Sequence, residues 1–290
     1  MNMITTKGFG SAAERRRRRA LSTGVVVQHV VLAALTLFFL VPMLWVLSAS
    51  LDARASFAVQ WPHFTATNFT SLFTDDVVQH PLVNSLELAL GTTVLATLTG
   101  VAAAYALSRH RSWFTRGYLF IVLFSTGLPV QLLMVPAYTL FIQLNLLDSV
   151  PATILFLSAT SLPFAIWLLK NFIDQIPLEI DEASQVDGAG GLARLRLIIL
   201  PLAAPGIAVA AMFTFLNAWG QFVIPYILLQ SPDKLPASVT IYGFLSAQGR
   251  VQYGALAAFT LVFSIPVLLL YGVLSRFLTG AFNFGSGVKG

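Results

Sequence analysis

An all-α membrane protein with six transmembrane helices is the fold class this sequence predicts, and three observations predict it. The apolar residues fall in blocks of about twenty, the length needed to cross a hydrocarbon core roughly 30 Å thick. Of the 290 residues, 57% are hydrophobic and only 10% are charged, with a mean hydropathy of +0.79. The basic residues gather in alternate connections, as their resistance to translocation requires.

The first block, Val25 to Leu47, follows a basic tail over residues 1–24 that carries the run Arg15 to Arg19. A basic run directly before an apolar span is a topology anchor on the anionic inner leaflet rather than a nucleic-acid patch. The block is about twice the length of a signal-peptide core, so it reads as a span and not as a leader cut after Ser48-Ala49-Ser50. The second block, Ser85 to Leu107, holds Glu87 near its outer end, where a carboxylate either reaches back to the interface or serves the transport path. The third, fourth and fifth are Tyr118 to Phe141, Pro151 to Leu169 and Pro205 to Leu229. The sixth, Ala255 to Phe277, completes a transmembrane region over 25–280 and leaves a short tail, 281–290. Spanning helices tolerate the prolines and glycines in several blocks when neighbours, hydroxyls or water satisfy the freed backbone groups.

With the N-terminus inside, fourteen of the seventeen Lys and Arg residues fall on inner segments, leaving Arg54, Lys234 and Arg250 outside. The acids divide evenly, so the bias is the Lys/Arg effect that sets orientation. Both termini are therefore expected in the cytoplasm. The absence of cysteine excludes disulfide and thiolate chemistry. His29, His63, His80 and His110 are scattered without metal-site spacing, and no metal is expected. The glycine-rich end, Gly280 to Gly290, has its lysine too late and no following helix for a phosphate loop. No nucleophile elbow is present, so the chain is not read as an enzyme, and the scarcity of intramembrane carboxylates indicates that energy enters from elsewhere.

The longest inner connection, 171–204, holds four carboxylates between Glu179 and Gly190. Pro177 suits the first turn of a helix, with Glu179, Asp181 and Glu182 near the positive end of its dipole and Gly188 as a left-handed stop. Ile176, Ile180, Ala183 and Val186 recur at helical spacing and predict one apolar face and one acidic face. A second short helix is expected from Leu192 to Leu200, with Leu192, Leu195 and Ile199 as its stripe and Pro201 ending it. The pair would form an L on the cytoplasmic face. An acidic surface is repelled by anionic lipid, so a protein partner fits it better than the membrane does.

Glu182-Ala183-Ser184, three further residues to Gly188, then Ile198-x-Leu200-Pro201 resemble the "EAA" loop of inner-membrane permease subunits of binding-protein-dependent ABC importers. Ser184 stands where the pattern has a second alanine. Asn84-Ser85, the segment Ala103 to Arg109, Pro136, Ala218-Trp219 and Gly285 to Gly290 are similar to the carbohydrate-type subfamily, including the second permease of maltose, trehalose and glycerol-phosphate importers. Trp219-Gly220-Gln221-Phe222 departs from the subfamily's Trp-Asn-Glu-Phe. The resemblance implies a heteromeric transporter: this chain, a second permease, two cytoplasmic ATPase subunits that hold ATP and Mg, and an extracytoplasmic solute-binding protein. No cofactor or nucleic acid is implied for the chain itself, which would sit in a bacterial or archaeal cytoplasmic membrane. The resemblance further implies that the 171–204 loop is the coupling helix, with Glu182, Ala183, Ser184, Asp187, Gly188, Leu200 and Pro201 meeting an ATPase groove.

Polar residues inside spans mark the transport path better than aliphatics do. Ser125, Thr126, Ser158, Thr160 and Ser161 are expected to serve interhelical hydrogen bonds. Gln131, Asn217, Trp219 and Gln221 are the candidates for the path, because a sugar needs amide donors and acceptors beside an aromatic face; Tyr226 is a further ring. An ion-gradient-driven secondary transporter is the alternative class, which the coupling loop disfavours. A phosphorylated polyol would need cations that this candidate path lacks.

Overall fold

In a computed structural model the described residues are 12–58, 61–74, 78–110, 112–246 and 251–286. Arg111, Arg250 and the tail beyond Ser286 lie outside them, as do the side chains of Arg15 to Arg19. Helix α1 runs from Ala12 to Ser50, so helix already occupies half of the expected basic tail, a consequence of the strong helix propensity of Ala, Glu and Arg. A short α2, Thr67–Thr74, precedes α3, Gln79–Arg109. The fourth block is α6, Val150–Ile173, and the sixth is α13, Tyr253–Ser286, which extends into the expected C-terminal tail. Among the described residues five helices are long and apolar enough to cross a membrane: Val25–Ser50, Gln79–Arg109, Val150–Ile173, Gly191–Trp219 and Tyr253–Arg276.

The third block is not one helix. It is split into α4, Trp113–Ser125, and α5, Gln131–Gln143, each about 20 Å long at 1.5 Å per residue and too short to cross alone. The break falls at Gly127 and Pro129. The chain there tightens into i−3 bonds, from Gly127 N to Phe124 O and from Leu128 N to Ser125 O, at 3.1 and 3.2 Å.

The inner loop forms α7, Leu178–Val186, and α8, Gly191–Arg194. Here the structure corrects the expectation that Pro201 ends a separate helix. A π-helical segment, Leu195–Ile199, leads without interruption into α9, Leu200–Trp219. Proline removes one N–H and collides with the carbonyl four residues back in a regular α-helix. The wider turn accommodates it: Leu200 N reaches back to Leu195 O, so Pro201 sits in the first turn of α9 and the helix continues through it.

The fifth span also ends earlier than expected, at Trp219 rather than Leu229, with a separate α10, Val223–Leu228, beyond it. Pro225 in α10 cannot donate to Gln221 O, and the Ser238 hydroxyl donates to that carbonyl instead at 2.8 Å. Ser238 lies in α11, Ala237–Thr240, which is followed by α12, Gly243–Ser246.

Helix α3 packs along α6 and α9, while α1 packs against α13. The shared faces of the first three carry small residues, Ala89, Ala96, Ala104, Ala165, Ala203 and Ala210, all buried, which lets backbones approach closely where lipid offers no hydrophobic drive. Gly206 shows the limit of that approach: a Cβ there would lie 2.2 Å from Phe172 Cγ. One apolar cluster gathers Leu88, Phe141, Leu157, Ile224 and Leu228 at the end of the bundle far from the loop. Another gathers Val101, Leu169, Ile173, Ile176 and Ile199 at the loop end.

The far end is fastened by Asp148, whose φ of 59° and that of nearby Asn145, 54°, lie in the left-handed region that Asp and Asn tolerate. Its carboxylate takes the Lys234 ammonium at 2.7 Å, the Ser231 hydroxyl, and the backbone N–H groups of Gln230 and Ser231 at 2.9 and 3.0 Å. Lys234, then these hydrogen bonds, hold the carboxyl well below the usual carboxylate range. A depressed folded pKa means that the contribution is complete above the unfolded value near 3.9 and fades as pH falls below it. Asp148→Asn is therefore expected to cost about 1–2 kcal/mol at pH 7. Thermal unfolding of the purified protein should show a gap between variant and parent at pH 7 that narrows at pH 3.

Candidate functional site

Two sites can be built from these elements, one at the loop and one between α6 and α9. At the loop, α7 closes with a complete left-handed cap. Ala189 N donates to Ser184 O at 2.9 Å and Gly188 N to Gln185 O at 3.0 Å, with Gly188 at φ 81°, the paired bonds that satisfy the last carbonyls of a helix. Among the described residues nothing lies within 4 Å of a Cβ built at Gly188, so its backbone angle alone calls for glycine.

The faces of α7 differ from the predicted ones. Ile176 and Ile180 pack inward with Ile173 and Ile199, but Ala183 is exposed and Val186 is 88% exposed. The inward face is completed by Asp181 and Ser184, both buried. A helix of two to three turns has too few apolar residues for hydrophobic periodicity to set its rotation, and an ion pair sets it here. Asp181 is paired with Arg109 at the end of α3 and accepts a hydrogen bond from the Tyr105 hydroxyl at 3.1 Å. Arg109 also donates to Ile176 O at 3.3 Å. Ser184 donates its hydroxyl to Asp181 O at 2.7 Å. Beside this pair, Asp174 accepts from Ser108 at 2.6 Å and from Lys170 at 2.5 Å.

The expected coupling residues thus separate. Glu182, Ala183, Asp187 and Gly188 are exposed together at the loop, with Glu179 and Val186 beside them. Ser184 faces inward, and Leu200 and Pro201 belong to the first turn of α9. Sequence reasoning missed Asp181, Tyr105 and Arg109. The available signal was Tyr105 and Arg109 four residues apart, on one helical face at the close of an apolar span.

The second site is a cavity of about 280 Å³ lined by Thr126, Val130, Thr160, Ser161, Phe164, Phe213, Thr214, Asn217 and Gln221. It brings together two of the four expected path residues. Asn217 is exposed on its wall, and Gln221 uses its amide oxygen to accept from Val223 N at 3.2 Å, which leaves both amide N–H donors for other partners. Gln131 opens α5 but is not in the lining. Trp219 is displaced from the expected role: it is 2% exposed, stacks between Phe215 and Phe263 at 5.7 and 4.9 Å, and donates its indole N–H to Phe263 O. Asn217 and Trp219 are two apart on a helix, so they face different directions.

The aromatic surface comes instead from Phe164 and Phe213, whose rings meet edge to face at 5.7 Å. The lining hydroxyls donate to their own helices, Thr126 to Leu123 O, Thr160 and Ser161 to Leu157 O, and Thr214 to Ala210 O, at 2.7–2.9 Å. Their oxygens remain acceptors. Among the described residues no charged side chain lines the cavity. Tyr226 lies in α10, exposed and stacked on Phe222. Glu87 is exposed on α3, and among the described residues no cluster of His, Asp or Glu could hold a metal.

Residues 96–280 match the family of binding-protein-dependent transport system inner membrane components. The chain is 32% identical to the diacetylchitobiose uptake system permease protein NgcG of Streptomyces coelicolor, over 95% of this chain and 91% of that one. It is 31% identical to the trehalose transport system permease protein SugB of Mycobacterium tuberculosis, over 87% and 93% of the two chains. The fold is similar, with a TM-score of 0.77 at 22% identity, to a chain in the crystal structure of a bacterial ABC transporter involved in the import of the acidic polysaccharide alginate, covering 93% of this chain and 99% of that one.

The open space around Gly188 separates backbone strain from steric clash. Gly188→Val is expected to destabilise the α7 cap by about 1–2 kcal/mol, and Gly188→Asn by distinctly less, because Asn tolerates the left-handed region. Amide exchange over Ser184 to Ala189 should rise in that order.

Proposed function

The chain belongs to the binding-protein-dependent transport system inner membrane components, and we propose that it forms half of the translocation path of an ATP-driven importer for a neutral carbohydrate. The observation that carries this reading is α7. One side of it is locked to the bundle by Asp181 and Ile180, while Glu179, Glu182 and Val186 stand exposed on another. A helix held firmly from behind with a mixed acidic and apolar front is suited to a protein groove, and its rigidity suits it to transmitting motion between two states.

In this reading one of two ATPase subunits docks at the loop and the ATPase pair carries out the hydrolysis, so the chain itself is not catalytic. A second permease closes the cavity between α6 and α9, and a solute-binding protein delivers substrate at the far end. The chain crosses the cytoplasmic membrane of a bacterium or archaeon six times, with α4 and α5 together as the third crossing, and the Lys/Arg distribution supports both termini in the cytoplasm. Relatives named for diacetylchitobiose and trehalose support a saccharide as substrate. The uncharged cavity supports a neutral one over a glycerol phosphate, since phosphate recognition calls for cations.

Pull-down of the tagged chain from native membranes should yield an ATPase and a second permease. Recovery of the chain alone, with uptake driven by an ion gradient and independent of ATP, would overturn the proposal. Glu182→Lys should reach the membrane in normal amount yet lose ATPase association and reduce uptake at least tenfold, a cost of about 1.4 kcal/mol or more. Asn217→Ala and Gln221→Ala should lower saccharide uptake while leaving the assembled complex and its basal ATP hydrolysis intact. Unchanged uptake in both would place the sugar contacts on the partner permease.

A further inference from the structure

The ion pair behind the coupling helix has no counterpart among the expected site residues, and its geometry says more than that α7 is folded. Asp181 is buried on a loop helix, and Arg109 is nearly buried, their side chains 7% and 11% exposed. Tyr105 and Arg109 belong to α3, which packs along both α6 and α9. Arg194, at the head of the continuous helix that becomes α9, brings a second guanidinium to the neighbourhood of the Tyr105 hydroxyl, and its Nε is buried with no hydrogen-bond partner among the described residues. A single carboxylate from the loop thus stands among the ends of two spans. A bond of this kind is weak evidence for stability, since replacing both partners by neutral groups of similar size is often tolerated. Its position is more informative than its energy.

We propose that Asp181 is a positioning residue for transport: through Arg109 and Tyr105 it fastens the coupling helix to the inner end of α3, so that the two move as one body when the ATPase moves. This rests on the importer reading above. Glu182 and its exposed neighbours face the ATPase, whereas Asp181 faces away from it and acts only inside the permease. The two residues are adjacent in sequence and opposite in role. Losing Glu182 breaks docking; losing Asp181 leaves docking and breaks what docking moves.

The test uses the whole complex purified from native membranes, reconstituted in vesicles with its binding protein, and a panel of radiolabelled disaccharides. Asp181→Asn is expected to retain the ATPase and hydrolyse ATP while uptake per ATP falls at least tenfold, and Asp181→Glu to restore uptake substantially. The double variant R109Q/D181N removes the orphaned charge and controls for folding. It should be recovered in normal amount with its ATPase, yet remain uncoupled. Because the native chain has no cysteine, spin labels at Gln185→Cys and His110→Cys, both exposed positions, report the joint directly. One narrow distance, the same with and without ATP, is expected in the parent, and a broadened one in D181N.

Full coupling in R109Q/D181N would reduce the pair to a structural tie and overturn the inference, as would a parent distance that changes with ATP. Either result leaves the importer reading standing. A wild-type preparation that lacks an ATPase overturns that reading and this inference together.

Discussion

Within a bilayer, every backbone N–H and C=O must find its partner inside the protein, and each departure from regular helix in this chain shows how that condition is met. At Gly127 and Pro129 the chain shortens its bonds to i−3 carbonyls. Ahead of Pro201 it lengthens them into a π-helical turn. At Gln221, where Pro225 cannot donate, the carbonyl receives the Ser238 hydroxyl. The breaks fall where other helices or loops supply what the helix loses, and two of them border the polar cavity: Thr126 and Val130 come from one, Gln221 from another. Irregular backbone and polar lining coincide because both require protein or water rather than lipid alongside.

This accounts for what the sequence revealed of the fold and what it concealed. Runs of about twenty apolar residues are an unmistakable length signal, and all six blocks correspond to helix. Their interruptions were harder to read. Pro136, Pro163 and Pro266 stand inside continuous helices, whereas Pro129 sits in a break and Pro225 in a separate short helix. Residue type is the same at all five. The outcome depends on whether the surrounding structure satisfies the freed carbonyl, which is a tertiary property with no local sequence mark. Pro201 shows the same thing: the helix passes through it because a wider turn precedes it.

At the sites, the residues legible in sequence were those whose role is local. The φ of Gly188 is set by the cap of one helix, so a glycine after an acidic amphipathic stretch was enough to find it. Asn217 and Gln221 are large polar groups at the end of an apolar span, and their cost in lipid announces them. Trp219 misled because its chemistry suits a sugar and its register does not. Two positions either side of it, Asn217 and Gln221 line the cavity, while Trp219 itself turns toward Phe263 of α13. Asp181 was hidden for a related reason. Four carboxylates share one short segment, and only the fold of α3 against the loop distinguishes the one that is buried from those that are not.

The continuity of helix from Gly191 to Trp219 gives these observations a common mechanical meaning. Over 29 residues a helix spans about 44 Å, and this one carries Arg194 at the loop end and Phe213, Thr214 and Asn217 at the cavity. A helix stopped at Pro201 would place a joint between the two, and displacement at the loop would dissipate there. The π-helical turn removes that joint while keeping the proline. Buried Ile199 and Ala203 fix the turn to Leu169 and Ile173 of α6, and Gly206 brings α9 against Phe172. Toward the cavity, buried Thr214, Phe215 and Trp219 hold the same helix to its neighbours, so the loop head and the cavity wall are parts of a single continuous element.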